Sequence, residues 1–177
     1  IAIQIDSPEK IIKLAYIDDV LDAILKSLQN PIGINLYTEL NNQHEISLGE
    51  LAQYIKKFMN FKETLLIEQV GIGLPRALYS TFMSYLPNNA FVYDIPEHTD
   101  SRGTFVEMLK TQNSGQFSYF TAKRGITRGA HYHHTKTEKF LVIRGQAKFK
   151  FKHMVSNEVI EILTSGSKPQ IVDTIPG

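Results

Sequence analysis

Three histidines and one glutamate lie between Gly125 and Gly145, and the spacing of two of these histidines and the glutamate constrains the fold more than any other feature. The pattern is glycine, five residues, His131, one residue, His133, four residues, Glu138, six residues, glycine. Residues i and i+2 of a β-strand share a face, so a strand here would point both histidines the same way. Two imidazoles and a carboxylate from adjacent strands can supply three ligands of a divalent metal site. The spacing therefore predicts strands with turns at the glycines, and a metal site.

The chain before residue 90 has mainly helical patterning. Residues 16–28 place apolar side chains three and four positions apart, which predicts an amphipathic helix. Ser47 and Glu50 have the spacing of a capping box and predict the start of a second helix. A third helix is predicted over residues 77–85, and a short strand over residues 32–36.

Beyond residue 90 the chain changes to short strand-like runs, separated by glycine, asparagine, aspartate and serine. Such runs without an intervening helix are typical of a barrel or a sandwich. We therefore predict an α+β chain with two parts, residues 1–89 and residues 90–177. The predicted strands of the second part cover residues 105–109, 116–122, 139–143, 147–153, 159–163 and 170–173.

Composition excludes several classes of protein. The 177 residues carry a net charge of +1, which gives no electrostatic basis for binding nucleic acid or an acidic membrane surface. No apolar run approaches the ~20 residues that a transmembrane helix needs, and no signal peptide opens the chain. The absence of cysteine excludes disulfides, thiolate ligands and cysteine nucleophiles. We expect a cytoplasmic protein without nucleic-acid or membrane partners.

The histidine and glutamate spacing resembles the first signature motif of the cupin family and fits it at each fixed position. The resemblance implies an all-β cupin (jelly-roll) barrel after residue 90, incomplete where the chain stops. A second cupin motif with a further histidine ligand is then expected beyond residue 177. The resemblance also implies that His131, His133 and Glu138 hold a divalent metal, with zinc as the expected ion, although some cupins work without metal.

A second pattern, Asp-x-Arg-Gly-x-Phe-x-Glu over residues 100–107, resembles the opening of the dTDP-4-dehydrorhamnose epimerase family. That family is a cupin branch acting on keto-sugar nucleotides, and it carries a strand reading Arg-Gly-Leu-His-Tyr-Gln. Residues 128–133 read Arg-Gly-Ala-His-Tyr-His. The resemblance implies substrate-binding roles, with guanidinium forks suited to diphosphate or sugar oxygens, for Arg102, Phe105, Glu107 and Arg128.

The two resemblances give His131 incompatible roles. The aligned histidine is the catalytic base in the epimerases and a ligand in metal cupins, and one imidazole nitrogen cannot serve as both. The family's glutamine is His133 here and Glu138 is added, which favours the metal ligand. The catalytic group therefore stays open, with candidates His131, Tyr132, His134 and Lys136, and with His153 as a further conceivable proton carrier.

The N-terminal part resembles the late segment of extended short-chain dehydrogenases, a Rossmann-like α/β fold. The resemblance rests on Tyr-x-Asp-Asp-Val at residues 16–20 and on the capped helix after Ser47. A dehydrogenase tail joined to an epimerase-like cupin is similar to the CapF-type bifunctional enzymes of capsular polysaccharide synthesis. In that family the cupin epimerises a UDP-4-keto-6-deoxy-N-acetylhexosamine at C-3. The dehydrogenase then reduces the C-4 ketone with NADPH, on the way to UDP-N-acetyl-L-fucosamine.

These resemblances imply an enzyme acting on a UDP-linked keto-sugar, and a homodimer by analogy with other cupins. Both chain ends look cut, so we expect an internal fragment of a longer protein. The chain shows no glycine-rich nucleotide loop and no Tyr-x-x-x-Lys pair, so NADPH is expected to bind only outside it. Two alternatives remain: a metal-dependent cupin oxygenase or isomerase on another substrate, and a metal-binding or sugar-nucleotide-binding cupin without epimerase activity.

Overall fold

A computed structural model describes residues 3–29, 40 and 42–174 of the chain. Over these residues the helices are α1 (Ile17–Gln29), α2 (Leu48–Thr64) and α3 (Gly73–Ser84), with a 3-10 turn at Asn88–Phe91. The strands are β1 (Ile11–Ala15), β2 (Gln43–Ser47), β3 (Leu66–Ile67), β4 (Glu97–Asp100), β5 (Gly103–Thr111), β6 (Gln116–Phe120), β7 (Glu138–Leu141), β8 (Gln146–Lys152), β9 (Val159–Ser165) and β10 (Ile171–Thr174). No helix in these described ranges is long and apolar enough to cross a membrane.

The three predicted helices are confirmed, and the predicted strand over residues 32–36 lies outside the described residues. The capping box of α2 is present: Ser47 Oγ accepts from the Glu50 backbone N–H at 3.2 Å, and Glu50 Oε2 accepts from the Ser47 N–H at 3.1 Å. The reciprocal bonds satisfy two backbone donors that the first helical turn leaves without partners. Helix α3 starts at Gly73, four residues before its predicted start at Ala77.

The six predicted strands after residue 90 all form, as β5 to β10, with ends shifted by at most two residues. Four strands have no counterpart in the prediction. Among them, β4 is polar and exposed throughout and β3 has two residues, so neither shows the apolar alternation that identifies a strand. The α+β class is confirmed.

The chain divides into two compact units, Ile1–Thr127 and Arg128–Gly177. In the first unit, β5 is antiparallel to β4 and β6 and parallel to β3, while β1 and β2 form a separate antiparallel pair. Its core includes the buried side chains Phe58, Ala77 and Val106, and Phe58 packs edge-on against Tyr79 at 5.1 Å between ring centroids.

The second unit contains two antiparallel strand pairs, β7 with β10 and β8 with β9. Val172 on β10 is buried opposite Phe140 on β7, and Phe140 in turn contacts Phe149 on β8 at 5.4 Å between ring centroids. This apolar contact joins the two pairs. Among the described residues the sheets are not closed, as expected for an incomplete barrel. The predicted domain boundary at residues 89/90 stays a prediction.

Candidate metal centre and substrate-binding face

The two glycines of the sequence pattern lie in turns, as predicted. Gly125 has φ +78° before the histidine segment, and Gly145 has φ +82° before β8. Both values fall in the left-handed region that glycine enters without steric cost. The spacing of the pattern therefore reflects two tight changes of chain direction around the histidine segment and β7.

The histidine segment itself is not a strand, and the prediction that His131 and His133 lie on one was wrong. Gly129 and Ala130 have successive positive φ values of +99° and +61°, so the chain cannot follow an extended ladder into His131. The alternation of sides nevertheless holds. The rings of His131 and His133 lie 4.8 Å apart between centroids, and those of Tyr132 and His134 lie 5.1 Å apart.

His131, His133 and Glu138 form a cluster of possible metal ligands. One donor atom from each lies within 4.8 Å of the other two, and His133 Nε2 is 4.0 Å from Glu138 Oε2. His133 Nε2 is also buried and has no hydrogen-bond partner among the described residues. An unpartnered buried polar atom costs about 1–3 kcal/mol. A cation bound to that nitrogen would remove this cost, and two imidazoles with one carboxylate are ligands that Zn²⁺ accepts. The residues present therefore fit a divalent metal.

Glu138 is held in place through both its backbone and its side chain. It is the first residue of β7, where its N–H donates to Thr174 Oγ1 on β10 at 2.9 Å. On the side chain, Lys136 Nζ lies 2.8 Å from Oε1, leaving Oε2 on the side of His133. Sequence reasoning missed Thr174, because nothing in a lone threonine shows which strand it pairs with.

Arg102 hydrogen-bonds to Asp100 within the turn between β4 and β5. Its Nε and Nη2 donate to Asp100 Oδ2 at 2.9 and 2.6 Å, and its backbone N–H donates to Oδ1 at 2.8 Å. These hydrogen bonds lower the pKa of Asp100 to about 2, and the carboxylate raises the pKa of Arg102. The guanidinium is thus oriented before any ligand binds, with Nη1 in none of the hydrogen bonds found in the described ranges.

Phe105 and Glu107 share one face of β5. Phe105 lies opposite His98 on β4 and Phe120 on β6, and its ring is 6.5 Å from that of His98 between centroids. Glu107 lies opposite Ser118, and its Oε1 is 3.2 Å from Lys110 Nζ. The face combines aromatic rings with a carboxylate, a suitable lining for a nucleoside.

The predicted site residues fall in both compact units. The first unit contains Arg102, Phe105 and Glu107, while the second contains Arg128 with the metal-ligand cluster. His153, a conceivable proton carrier, is occupied in the turn after β8. Its Nδ1 lies 3.0 Å from both the backbone N and the Oγ of Ser156, so it stabilises the β8–β9 turn.

Comparisons with known proteins match both the C-terminal part of the chain and the chain as a whole. Residues 98–177 match the family described as the polysaccharide biosynthesis C-terminal domain. Over all 177 residues the chain is 51% identical to a Pseudomonas aeruginosa protein named UDP-2-acetamido-2,6-beta-L-arabino-hexul-4-ose reductase. It spans about half the length of that relative, 48%.

Solved structures show the same relationship. The capsular polysaccharide assembling protein CapF from Staphylococcus aureus superposes with a TM-score of 0.89 at 35% identity, over 99% of this chain and 48% of that one. A second CapF structure, with the inhibitor 3-isopropenyl-tropolone, gives a TM-score of 0.91 at 35% identity, over 99% and 51% of the two chains. The similarity to CapF-type proteins predicted from the sequence is confirmed.

Proposed function

Since this chain is related over its whole length to the C-terminal half of CapF-type proteins, we propose that it carries the epimerase site of a sugar-nucleotide enzyme of capsular polysaccharide synthesis. The substrate is a UDP-4-keto-6-deoxy-N-acetylhexosamine, and the reaction inverts C-3. The observation that carries the proposal is the cluster of His131, His133 and Glu138, with its buried and unpartnered imidazole nitrogen.

The cluster supports metal-ligand roles for both histidines. The donor atom of His131 lies within 4.8 Å of those of His133 and Glu138, which favours a ligand over a free base at this position. A bound divalent cation, with zinc as the proposed ion, would stabilise the negative charge on the oxygen of the C-4 ketone when the C-3 proton leaves. CapF has an inhibitor, 3-isopropenyl-tropolone, whose tropolone ring offers adjacent carbonyl and hydroxyl oxygens, a donor pair that would suit a bound cation.

The chain's own residues bind the substrate and move the proton. Arg102 is oriented by Asp100 and offers its remaining guanidinium donors to diphosphate oxygens, while Phe105 and Glu107 provide the nucleoside-binding face. Arg128 is proposed as a second cation for the diphosphate or the sugar. Proton transfer at C-3 needs a group outside the ligand set. Tyr132 and His134 are proposed by residue type alone, and because they pack together on the side of the histidine segment away from the ligand cluster, neither is assigned the proton transfer.

The reductase step belongs to the rest of the natural protein. The relative from Pseudomonas aeruginosa is named a reductase and is about twice the length of this chain. We propose that NADPH binds in the part of the protein outside these residues, and that the natural protein is a cytoplasmic homodimer. The runner-up function is a cupin that binds metal or sugar nucleotide without epimerisation; the metal-ligand cluster alone is compatible with it.

The test measures proton exchange at the carbon beside the ketone. The natural protein containing these 177 residues is incubated with the UDP-4-keto-sugar in deuterated water without NADPH, and deuterium at C-3 is followed by NMR. We expect uptake by the zinc-loaded protein, loss of uptake in His133→Ala, and loss after metal removal that zinc restores. Binding of the sugar nucleotide without deuterium uptake by the folded, zinc-loaded protein would establish the runner-up function and contradict the epimerase.

A further inference from the structure

The two oxygens of the Glu138 carboxylate have different partners. Oε1 is 2.8 Å from Lys136 Nζ, while Oε2 faces the unpartnered His133 Nε2 at 4.0 Å. We propose that Lys136 is a positioning residue that holds Oε1, so that Glu138 presents Oε2 as a single-oxygen metal ligand. This inference rests on the metal site of the proposed function and adds a residue that the ligand cluster does not contain.

A carboxylate without such a partner can bind a cation in more than one way, because its two oxygens are equivalent. It can rotate about its last side-chain bond, which has a broad torsional profile, and it can bind a cation through one oxygen or through both. An ammonium bound to Oε1 removes that oxygen from competition and fixes the direction of Oε2. Groups that hydrogen-bond to ligating carboxylates act in this way around metal sites.

The ion pair of Lys136 is better suited to orienting the Glu138 carboxylate than to stabilising the fold. The side chain of Lys136 is 51% exposed and that of Glu138 is 25% exposed, so solvent screens the ion pair and its contribution to folding is small.

A second ion pair, on strands β7 and β10, offers a matched control. Lys139 on β7 forms an ion pair with Asp173 on β10, one residue beyond Glu138, and both side chains are exposed. Lys139→Met removes the same charge three residues further along the chain, but the carboxylate that it releases, Asp173, is not part of the ligand cluster. A simple effect of local charge would appear in both methionine variants, whereas a positioning effect would appear only in Lys136→Met.

The experiment titrates the metal-stripped natural protein that contains these 177 residues with Zn²⁺ and with Co²⁺. For Lys136→Met we expect Zn²⁺ affinity to fall ~10-fold, the lower end of the range for residues that support metal ligands. The visible spectrum of bound Co²⁺ should also change, because a carboxylate that ligates through both oxygens raises the coordination number. Lys136→Arg keeps a donor for Oε1 and should recover most of the affinity, and Lys139→Met should match the wild type.

The outcomes separate the inference from the proposed function. Wild-type binding that Lys136→Met leaves unchanged or strengthens, with an unchanged Co²⁺ spectrum, would overturn the positioning role and leave the metal site standing. Equal losses in Lys136→Met and Lys139→Met would also overturn it, because the effect would then be one of local charge. Absence of Zn²⁺ binding by the folded wild-type chain would overturn both the inference and the metal part of the proposed function.

Discussion

At the scale of single residues, the buried nitrogen of His133 explains why the cluster is more than a polar loop. An exposed imidazole obtains hydrogen bonds from water, but His133 Nε2 is buried and has no partner among the described residues. Its loss of solvation is compensated when a cation or proton donor occupies the space between it and Glu138. His134, the neighbouring histidine, is exposed and lies in a ring contact with Tyr132 instead. The residue type is the same, and only the surroundings distinguish the two.

Asp100 and Arg102 give a prediction at this scale. The pKa of Asp100 is lowered to about 2 from 3.8, first by the side-chain hydrogen bond from Arg102. Because the folded pKa is depressed, the stabilisation is present above the unfolded pKa and is lost as pH falls from about 4 through about 2. Carboxyl-carbon NMR should find the Asp100 midpoint near 2, and Arg102→Met should raise it toward the ordinary aspartate value.

The control for this titration is Arg124→Met. Arg124 is an exposed arginine outside the β4–β5 turn and forms none of the hydrogen bonds to Asp100. An Asp100 midpoint that stays at its wild-type value in Arg102→Met, or that moves equally in Arg124→Met, would show that the Arg102 hydrogen bonds are not its cause.

At the scale of secondary-structure elements, the β4–β5 turn depends on one glycine. Gly103 has φ +144°, and a Cβ added there would lie against the backbone carbonyl of Thr121. Gly115, in the turn between β5 and β6, has φ +80°, but a Cβ there would meet no atom within 4 Å. Both positions strain an L-residue, and Gly103 adds a backbone clash that no rotamer change relieves.

Alanine at the two glycines should therefore have unequal effects. Gly115→Ala should lower the free energy of unfolding by about 1 kcal/mol, the usual cost of a left-handed L-residue. Gly103→Ala should lower it by clearly more, because Thr121 must also move. Urea unfolding followed by circular dichroism measures both, and equal losses would show that the turn opens to accept the added carbon.

Secondary-structure elements also show what the sequence could predict. Strand β8 was predictable because QAKFKFK alternates strictly, and its burial alternates likewise. Strand β4, EHTD, was not predictable because it is polar and exposed, and pairing with β5 alone makes it a strand. The rings of His131 and His133 lie close together, but the predicted strand that was to bring them together does not form. Positive φ at Ala130, a non-glycine residue, leaves no mark in the sequence.

At the scale of the whole molecule, the sequence pattern and the contacts in the structure place the boundary at different residues. The sequence changes from helical to strand-like patterning near residue 90, while the boundary between the compact units lies between residues 127 and 128. Strand β3 lies between α2 and α3 and pairs with β5, and the ring of Phe61 on α2 lies 6.1 Å from that of Tyr93 between centroids. The strands directly after residue 90 thus pack with the helices before it.

Limited proteolysis should report this division. Lys123 and Arg124 are exposed, follow the end of β6 and lie before a segment without strands. Trypsin at low ratio should cut there first, since exposed connections are cleaved before helices and strands. Mass spectrometry of the fragments provides the measurement, with the lysines of α2 as the internal control. First cleavage within α2 would contradict the division into units.

The measurement that tests the account most directly is the metal content of the folded natural protein that contains these 177 residues. The proposed epimerase site and the role of Lys136 both require that His131, His133 and Glu138 bind one divalent cation together. After incubation with zinc and removal of excess, we predict one zinc per chain in the wild type and in His134→Ala, with loss of zinc in His133→Ala. A wild type without zinc, or equal zinc in His133→Ala and the wild type, would contradict the account.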